Sequence, residues 1–235
     1  MGNDQGSMRS RAKGKRGTIS PKMTFIGLWS ALVLVMVLIP FIKGPAASPL
    51  FTVLFIALLG TAVMTIQGWK GMKIVALSLF IASAASRLAF SMTEDGLLEL
   101  LSFIFASATL AWVTIFLFLS LFKRKEVTTT TLWEAVTVYI LIGMTWASVY
   151  TILEIIYPGS FVDSANPSES MNFHTSMYYS FVTLATLGYG DIVPVTQEAR
   201  GLVIVEVLTG VLYMAILISR LVGTWRRHTN GGDEK

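Results

Sequence analysis

Six apolar runs, each close to the length of a membrane-crossing helix, constrain the fold of this chain more than any other feature. A helix of about 20 apolar residues spans the hydrocarbon core of a bilayer. The chain is 54% hydrophobic and only 14% charged, whereas an average soluble domain is about a quarter charged. We therefore predict an all-α membrane protein. The six predicted transmembrane helices are residues 24–42, 50–67, 74–92, 97–122, 132–157 and 200–223.

Basic residues are unevenly distributed between the two ends of these runs. If the N-terminus is cytoplasmic, every Lys and Arg except Lys43, Arg87 and Arg200 falls on the cytoplasmic side. Cytoplasmic loops carry this kind of excess, so we expect both termini in the cytoplasm. Residues 1–23 form a basic arm next to an apolar run, which favours binding to anionic lipid over binding to nucleic acid.

The residues that most enzymes need are scarce. The chain contains no cysteine, and its two histidines, His174 and His228, lie in different segments. No nucleophile, general base and metal-ligand set can be assembled from neighbouring positions. We therefore expect neither an enzyme nor a protein with a bound cofactor.

One segment between the fifth and sixth runs is too short to cross the bilayer and return as two helices. Residues 173–185 predict a half-helix with Asn172 as its N-cap. A chain that enters the membrane without spanning it must bury its backbone in protein or line a water-filled path. We therefore predict a re-entrant pore helix followed by a return strand between helices 5 and 6.

The return strand has the residue types needed to surround a dehydrated cation with oxygens. Successive backbone carbonyls from several chains can replace the water shell of K⁺. Gly188 and Gly190 permit the backbone angles that this requires, and Thr186 can add a hydroxyl oxygen. Tyr189 is expected to point away from the axis around which these chains assemble and to be braced by Tyr178 and Tyr179.

Residues 186–191 read Thr-Leu-Gly-Tyr-Gly-Asp, which resembles the Thr-Val-Gly-Tyr-Gly-Asp filter of potassium channels. The resemblance runs from Leu132 through the last apolar run. Tyr178 and Tyr179 stand where many members have two tryptophans, and Thr183 matches a threonine of the family's half-helix. Leu187 replaces the usual valine, and Ala185 stands where a second threonine is common. The resemblance implies a homotetramer that conducts K⁺ through the carbonyls of Thr186, Leu187, Gly188, Tyr189 and Gly190.

Further residues are predicted to support the filter. The supporting set is Asp191, Tyr178, Tyr179, Thr183 and Glu206. Glu206 is expected to bond half-helix hydroxyls such as those of Thr183 or Tyr179, because a carboxyl group within the membrane needs polar partners. Glu154, near the outer end of the fifth helix, is expected to pair with Arg200.

The last helix resembles the pore-lining helix of the same family. Gly210 lies where the family often has a hinge glycine, although glycine is also common in membrane helices as a packing residue. Val211, Met214 and Ile218 follow at helical spacing. They either line the inner cavity or pack against the fifth helix.

Six helices with the pore last is the layout of voltage-gated channels, which carry a row of arginines in the fourth helix. This chain has no Lys or Arg between Arg87 and Lys123. Arg87 is expected to snorkel to the interface or to pair with acidic residues of the following turn and helix. Those residues are Glu94, Asp95 and Glu99. We therefore predict a channel that is not strongly voltage-gated.

These observations together predict a potassium-selective channel subunit in the plasma membrane. The predicted domains are the arm at 1–23, a four-helix transmembrane domain at 24–126, a pore domain at 127–223 and a short cytoplasmic tail at 224–235. A poorly selective cation channel is the alternative if Leu187 and Ala185 loosen the filter. A membrane transporter of unknown substrate is a further alternative.

Overall fold

The secondary structure is α-helical, apart from two short strands that flank one helix. A computed structural model describes residues 21–38, 41, 47–66, 69–123, 128–167 and 170–230. The described residues form seven α-helices and two β-strands. The elements are α1 (Pro21–Leu38), α2 (Ala47–Met64), α3 (Lys70–Thr93), α4 (Gly96–Lys123), α5 (Thr129–Ile156), β1 (Phe161–Asp163), α6 (Phe173–Leu184), β2 (Ile192–Pro194) and α7 (Gln197–Asn230).

Polar side chains cap the N-termini of three of these helices. Thr128 accepts from the backbone N–H of Thr131 at the start of α5. Asp95 Oδ1 accepts from the N–H of Leu97 at 2.9 Å at the start of α4. The predicted cap of α6 is confirmed, because Asn172 Oδ1 accepts from the N–H of Thr175 at 3.0 Å. Each bond satisfies a donor that the first turn of a helix leaves open.

Four helices in the described part of the chain are long and apolar enough to cross a membrane. They are α3, α4, α5 and residues Gln197–Arg220 of α7. α1 and α2 are 18 residues each, and their apolar stretches, Gly27–Val37 and Pro49–Met64, are shorter. α7 continues to Asn230, so residues 224–230 of the predicted tail are helical. Most of the basic arm, residues 1–20, and the end of the tail, residues 231–235, lie outside the described residues.

Helix α5 connects the first four helices to the last. Trp29 Nε1 on α1 donates to Thr137 Oγ1 on α5 at 3.0 Å. From the other side, the Tyr213 hydroxyl on α7 donates to the carbonyl oxygen of Ala135 on α5 at 2.5 Å. Buried apolar side chains of α1, α2, α4 and α5 form one continuous core. α5 therefore sits between the four-helix part and α7.

The two strands form an antiparallel pair across the loop that contains α6. Phe161 pairs with Pro194, and Asp163 pairs with Ile192. The pairing continues beyond the strands, because the N–H of Ser164 donates to the carbonyl oxygen of Asp191 at 2.8 Å. Neither strand was predicted from the sequence. A three-residue strand is too short to show the alternating pattern by which strands are recognised.

The position of Arg87 differs from both sequence expectations. Its side chain is 5% exposed, so it does not snorkel. Its Nε lies 3.4 Å from Thr52 Oγ1, and its guanidinium lies over the ring of Phe51 at 4.8 Å. Among the described residues, no acidic side chain forms an ion pair with it. The aromatic faces stabilise the buried guanidinium in part, through cation–π attraction.

The predicted pair between Glu154 and Arg200 was wrong. The Glu154 carboxylate accepts from the backbone N–H groups of Gly159 at 2.8 Å and Ser160 at 3.1 Å. Arg200 Nε instead donates to the carbonyl oxygen of Pro194 at 3.2 Å. The turn after α5 exposes unpaired donors close to Glu154, so a local partner replaces the distant one.

Candidate functional site

Helix α6 is held closely between α5 and α7 by a glycine on each side. A Cβ on Gly143 of α5 would lie 2.6 Å from Phe181 Cε1. A Cβ on Gly210 of α7 would lie 2.6 Å from the carbonyl oxygen of Leu184, at the C-terminal end of α6. Gly210 therefore has the packing role that the sequence left open, whereas its hinge role stays a prediction.

The segment after α6 has a backbone of alternating handedness. Thr186, Gly188 and Gly190 have φ of +57°, +55° and +78°, whereas Leu187 and Tyr189 lie outside the positive-φ set. Such alternation turns successive peptide units to the same side, so carbonyls can line one face. The positive φ of the two glycines agrees with their predicted use. The positive φ of Thr186 was missed, because left-handed backbone is uncommon for residues other than glycine.

Hydrogen bonds from the return segment fix its first residues to the end of α6. The N–H of Thr186 donates to the carbonyl oxygen of Thr183 at 2.9 Å, and the N–H of Leu187 donates to that of Val182 at 2.9 Å. These bonds use carbonyls that the last turn of a helix leaves open. They hold Thr186 in its left-handed conformation, which is sparsely populated and typical of functional sites.

The far end of the segment is tied back to α6 through Asp191. The Tyr178 hydroxyl donates to Asp191 Oδ2 at 2.6 Å. The N–H of Ile192 donates to Asp191 Oδ1 at 3.0 Å. The bond from Tyr178 is the main reason that the pKa of Asp191 lies below its ordinary value, since it favours the ionised carboxylate. Asp191 is thus linked to α6 through Tyr178, and its role in supporting a filter stays a prediction.

The second tyrosine of the pair faces the opposite way. Tyr179 is buried and packs edge-on against Tyr150 at 5.4 Å and Phe161 at 5.2 Å. Tyr189 is 67% exposed in the single chain. The bracing of Tyr189 by the two tyrosines therefore stays a prediction.

Glu206 joins the three helices around the segment. Its side chain is fully buried. One carboxyl oxygen accepts from the hydroxyl of Tyr150 on α5, and the other accepts from Ser180 Oγ on α6 at 2.5 Å. The expectation that Glu206 bonds half-helix hydroxyls is right in kind, but the partner on α6 is Ser180 rather than Thr183 or Tyr179. Which α6 hydroxyl donates to Glu206 depends on the rotation of α7 about its axis, which could not be predicted from the sequence.

Comparison with known proteins identifies the class to which this arrangement belongs. Residues 135–226 match a family model described as an ion channel. The chain is 34% identical to Two-pore potassium channel 4 of Arabidopsis thaliana over 98 residues. This aligned region covers 42% of this chain and 34% of that protein. The chain is 31% identical over 97 residues to Protein LctB of Bacillus caldotenax, which covers 40% of this chain and 72% of LctB. The chain belongs to the potassium channel family.

The other comparisons agree with this assignment over shorter regions. The inward rectifier potassium channel Kirbac3.1 of Paramagnetospirillum magnetotacticum is 33% identical over 73 residues, covering 31% of this chain and 24% of that protein. The chain spans about a third of the length of the Arabidopsis relative. No solved structure matches the chain. The family, with the membrane-crossing helices, makes this chain a multi-pass membrane protein of an ion channel class, which is not a class of enzymes.

The residues predicted to line the channel lie on one uncovered face of α7. Val211, Met214 and Ile218 are all exposed in the single chain. The buried side of the same helix carries Tyr213, which bonds to α5. This exposure favours an open face over packing against the fifth helix of the same chain, and the lining of an inner cavity stays a prediction. Within the described residues, no group of three or more His, Asp and Glu side chains could ligate a metal ion.

Proposed function

We propose that this chain is one subunit of a homotetrameric, potassium-selective channel. The selectivity filter is formed by Thr186, Leu187, Gly188, Tyr189 and Gly190. The observation that carries the proposal is the alternating sign of φ along residues 186–190, directly after α6. Four such strands around one axis supply rings of carbonyl oxygens that replace the hydration shell of K⁺. The permeant ion is thus held by backbone oxygens, and no cofactor takes part.

Helix α6 acts in this proposal as a re-entrant pore helix. Its 12 residues give a length of about 18 Å, which is well short of the ~30 Å hydrocarbon core. Its C-terminal end leads directly into the filter. Four such ends carry the negative ends of their helix dipoles to a common axis, where they stabilise a cation.

The other six helices form six membrane crossings. α3, α4, α5 and α7 have the length and composition for this. α1 and α2 have 18 residues each, which corresponds to about 27 Å. That length is close to the thickness of the hydrocarbon core, and a small mismatch can be accommodated by local thinning of the bilayer.

The surface of the single chain supports assembly into a tetramer. Leu187 is 58% exposed and Tyr189 is 67% exposed, next to the uncovered apolar face of α7. Large apolar surfaces of this kind mark interaction sites. A cavity of about 340 Å³ lies beside the filter and is lined by residues of α6, the filter and α7. Each chain supplies one filter strand, so a closed ring requires cyclic symmetry.

The rest of the chain is assigned by the same proposal. The domains are the arm at 1–23, the four-helix domain at 24–126, the pore domain at 127–223 and the tail at 224–235. Both termini lie in the cytoplasm and the channel lies in the plasma membrane, with the arm bound to anionic lipid. The four-helix domain lacks an arginine row, so gating is not strongly voltage-dependent.

Oligomer mass and ion flux measured on the same preparation test this proposal. The purified full chain should have the mass of a tetramer in native detergent and should carry K⁺ flux after reconstitution into vesicles. A monomer or dimer that retains flux would contradict the shared pore and would favour a transporter. A tetramer without K⁺ flux would contradict the channel function.

A further inference from the structure

An aromatic cluster connects the four-helix part of the chain to the first residue of α6. We define the Arg87 cluster as Arg87 with the phenylalanines whose rings surround it or continue from it. The cluster consists of Arg87 and Phe90 on α3, Phe51 and Phe55 on α2, Phe103 on α4 and Phe173 on α6. Residues from four helices thus meet at one place.

Phe173 is the member of the cluster that belongs to the pore segment. Its ring is nearly fully buried, and the ring centroids of Phe51 and Phe55 lie 5.4 Å and 5.3 Å away. The ring of Phe103 stacks on it at 5.6 Å with an interplanar angle of 22°. The start of α6 is therefore seated on α2 and α4, although its sides are held by α5 and α7.

Arg87 contacts two of the same rings. Its guanidinium carbon lies 4.8 Å from the ring centroid of Phe51 and 5.7 Å from that of Phe103. Nη1 is buried without a hydrogen-bond partner among the described residues. Ring faces attract a cation through the ring quadrupole, and they act on the charge together with Thr52 and the more distant carboxylate of Glu99. Phe51 and Phe103 thus contact both Arg87 and Phe173.

A displacement at Phe173 has a short route to the filter. α6 is a single 12-residue helix, and its last turn is hydrogen-bonded to Thr186 and Leu187. The i→i−4 backbone hydrogen bonds along the helix couple the positions of its first and last turns. A shift or tilt of its first residue therefore moves the two residues that begin the filter.

We propose that the Arg87 cluster positions the filter, and that helices α2–α4 act on the pore through Phe173. Arg87 and Phe173 are then positioning residues for conduction, and Arg87 is a fixed anchor rather than a mobile gating charge. This inference rests on the proposed function, because it requires residues 186–190 to be the filter. It assigns to the four-helix part a role at the outer end of the pore segment.

Single-channel recordings of reconstituted full-length protein test the inference. The variants are Phe173→Leu, Phe103→Leu, the double variant and Arg87→Met. Phe80→Leu is the matched control, because Phe80 lies on α3 against Gly60 of α2 and is not a cluster member. We expect Phe173→Leu and Arg87→Met to change mean open time or the K⁺ to Na⁺ permeability ratio by at least about threefold. Phe80→Leu should change neither.

The double variant and a conservative substitution separate positioning from a merely structural role. Phe103→Leu and Phe173→Leu should be non-additive in open time by about threefold or more, as expected for residues in contact. Arg87→Lys, which keeps the cation, should stay closer to the wild type than Arg87→Met. If Phe173→Leu does not assemble, Phe173→Met, whose flexible side chain fills irregular gaps, replaces it in the same recordings.

The outcomes also separate this inference from the proposed function. A wild-type protein that carries no K⁺ current contradicts the proposed function. A wild type that conducts K⁺, with assembled Phe173 and Arg87 variants that match Phe80→Leu in open time and permeability ratio, overturns the role of the cluster alone. Additive effects of Phe103→Leu and Phe173→Leu would likewise overturn the route through Phe173.

Discussion

At the scale of single residues, Gly190 and Gly210 are constrained by different features of the structure. Gly190 has a φ of +78°, and a Cβ there would meet nothing within 4 Å. Gly210 lies in a regular helix, but a Cβ there would meet the backbone of α6. Backbone conformation requires the first glycine, and close approach of two helices requires the second.

Gly190→Ala should abolish or degrade potassium selectivity. Alanine in left-handed backbone costs about 1–2 kcal/mol, and relaxing that strain rotates a peptide unit of the filter. Gly159→Ala is the control, because Gly159 has a φ of +81° and equally open surroundings but lies in the turn after α5. Both variants should lower the free energy of unfolding by a similar amount, and reversal potentials should shift in Gly190→Ala alone. Unchanged selectivity in Gly190→Ala would contradict the assignment of residues 186–190 as the filter.

Gly210→Ala should lower the melting temperature of the assembled channel. Forcing a methyl group against the Leu184 carbonyl costs about 1–3 kcal/mol, as overpacking usually does. Gly201→Ala on the same helix serves as the control, because a Cβ there meets nothing within 4 Å. If Gly210→Ala is as stable as Gly201→Ala but opens less often, the hinge role is the better account.

At the scale of secondary-structure elements, α6 is held on every side by contacts of different chemistry. Gly143 and Gly210 allow close packing, Phe173 rests on rings of α2 and α4, and Glu206 supplies a polar link to Ser180. The β1–β2 pair joins the loops before and after it. A rigid support of this kind keeps the return segment in its strained conformation.

Tyr150→Phe should loosen the contact between α5 and α7. The variant leaves one oxygen of the buried Glu206 carboxyl group without its donor, which costs about 1–3 kcal/mol. Thermal unfolding in detergent measures this, with Tyr157→Phe as control because Tyr157 is exposed at the end of α5. Equal melting temperatures for the two variants would show that the Tyr150 bond to Glu206 does not stabilise the channel.

The sequence predicted helices well and their mutual rotation poorly. The start of α6 at Phe173 could be predicted because Asn172 is a recognisable cap, and the positive φ of Gly188 and Gly190 could be predicted from the residue type. The hydrogen-bond donors to Glu206 could not be predicted from the sequence, because they depend on how α5, α6 and α7 are rotated about their axes. Arg87 was misplaced because a lone arginine near a helix end fits snorkelling and burial equally well. Its ring partners lie far from it in the chain.

At the scale of the whole molecule, the channel should show weak voltage dependence. Moving one charge through 100 mV is worth ~2.3 kcal/mol, and voltage-gated channels use 3–4 such charges in each subunit. Arg87 is the only basic residue within the predicted membrane spans of the four-helix domain, and it is held by three rings. Open probability should therefore change little between about −100 and +100 mV. A steep conductance–voltage curve that flattens in Arg87→Gln would contradict the view of Arg87 as an anchor.

The reversal potential of the purified channel in a planar bilayer tests the central claim most directly. A tenfold K⁺ gradient is set across the bilayer, and Na⁺ is added to the low-K⁺ side until total cation is equal on both sides. A potassium-selective pore reverses near the K⁺ equilibrium potential, about 59 mV from zero for a tenfold ratio of a monovalent ion. The account predicts that value for the wild-type tetramer. A reversal potential near zero would show a pore that does not distinguish K⁺ from Na⁺ and would contradict the account.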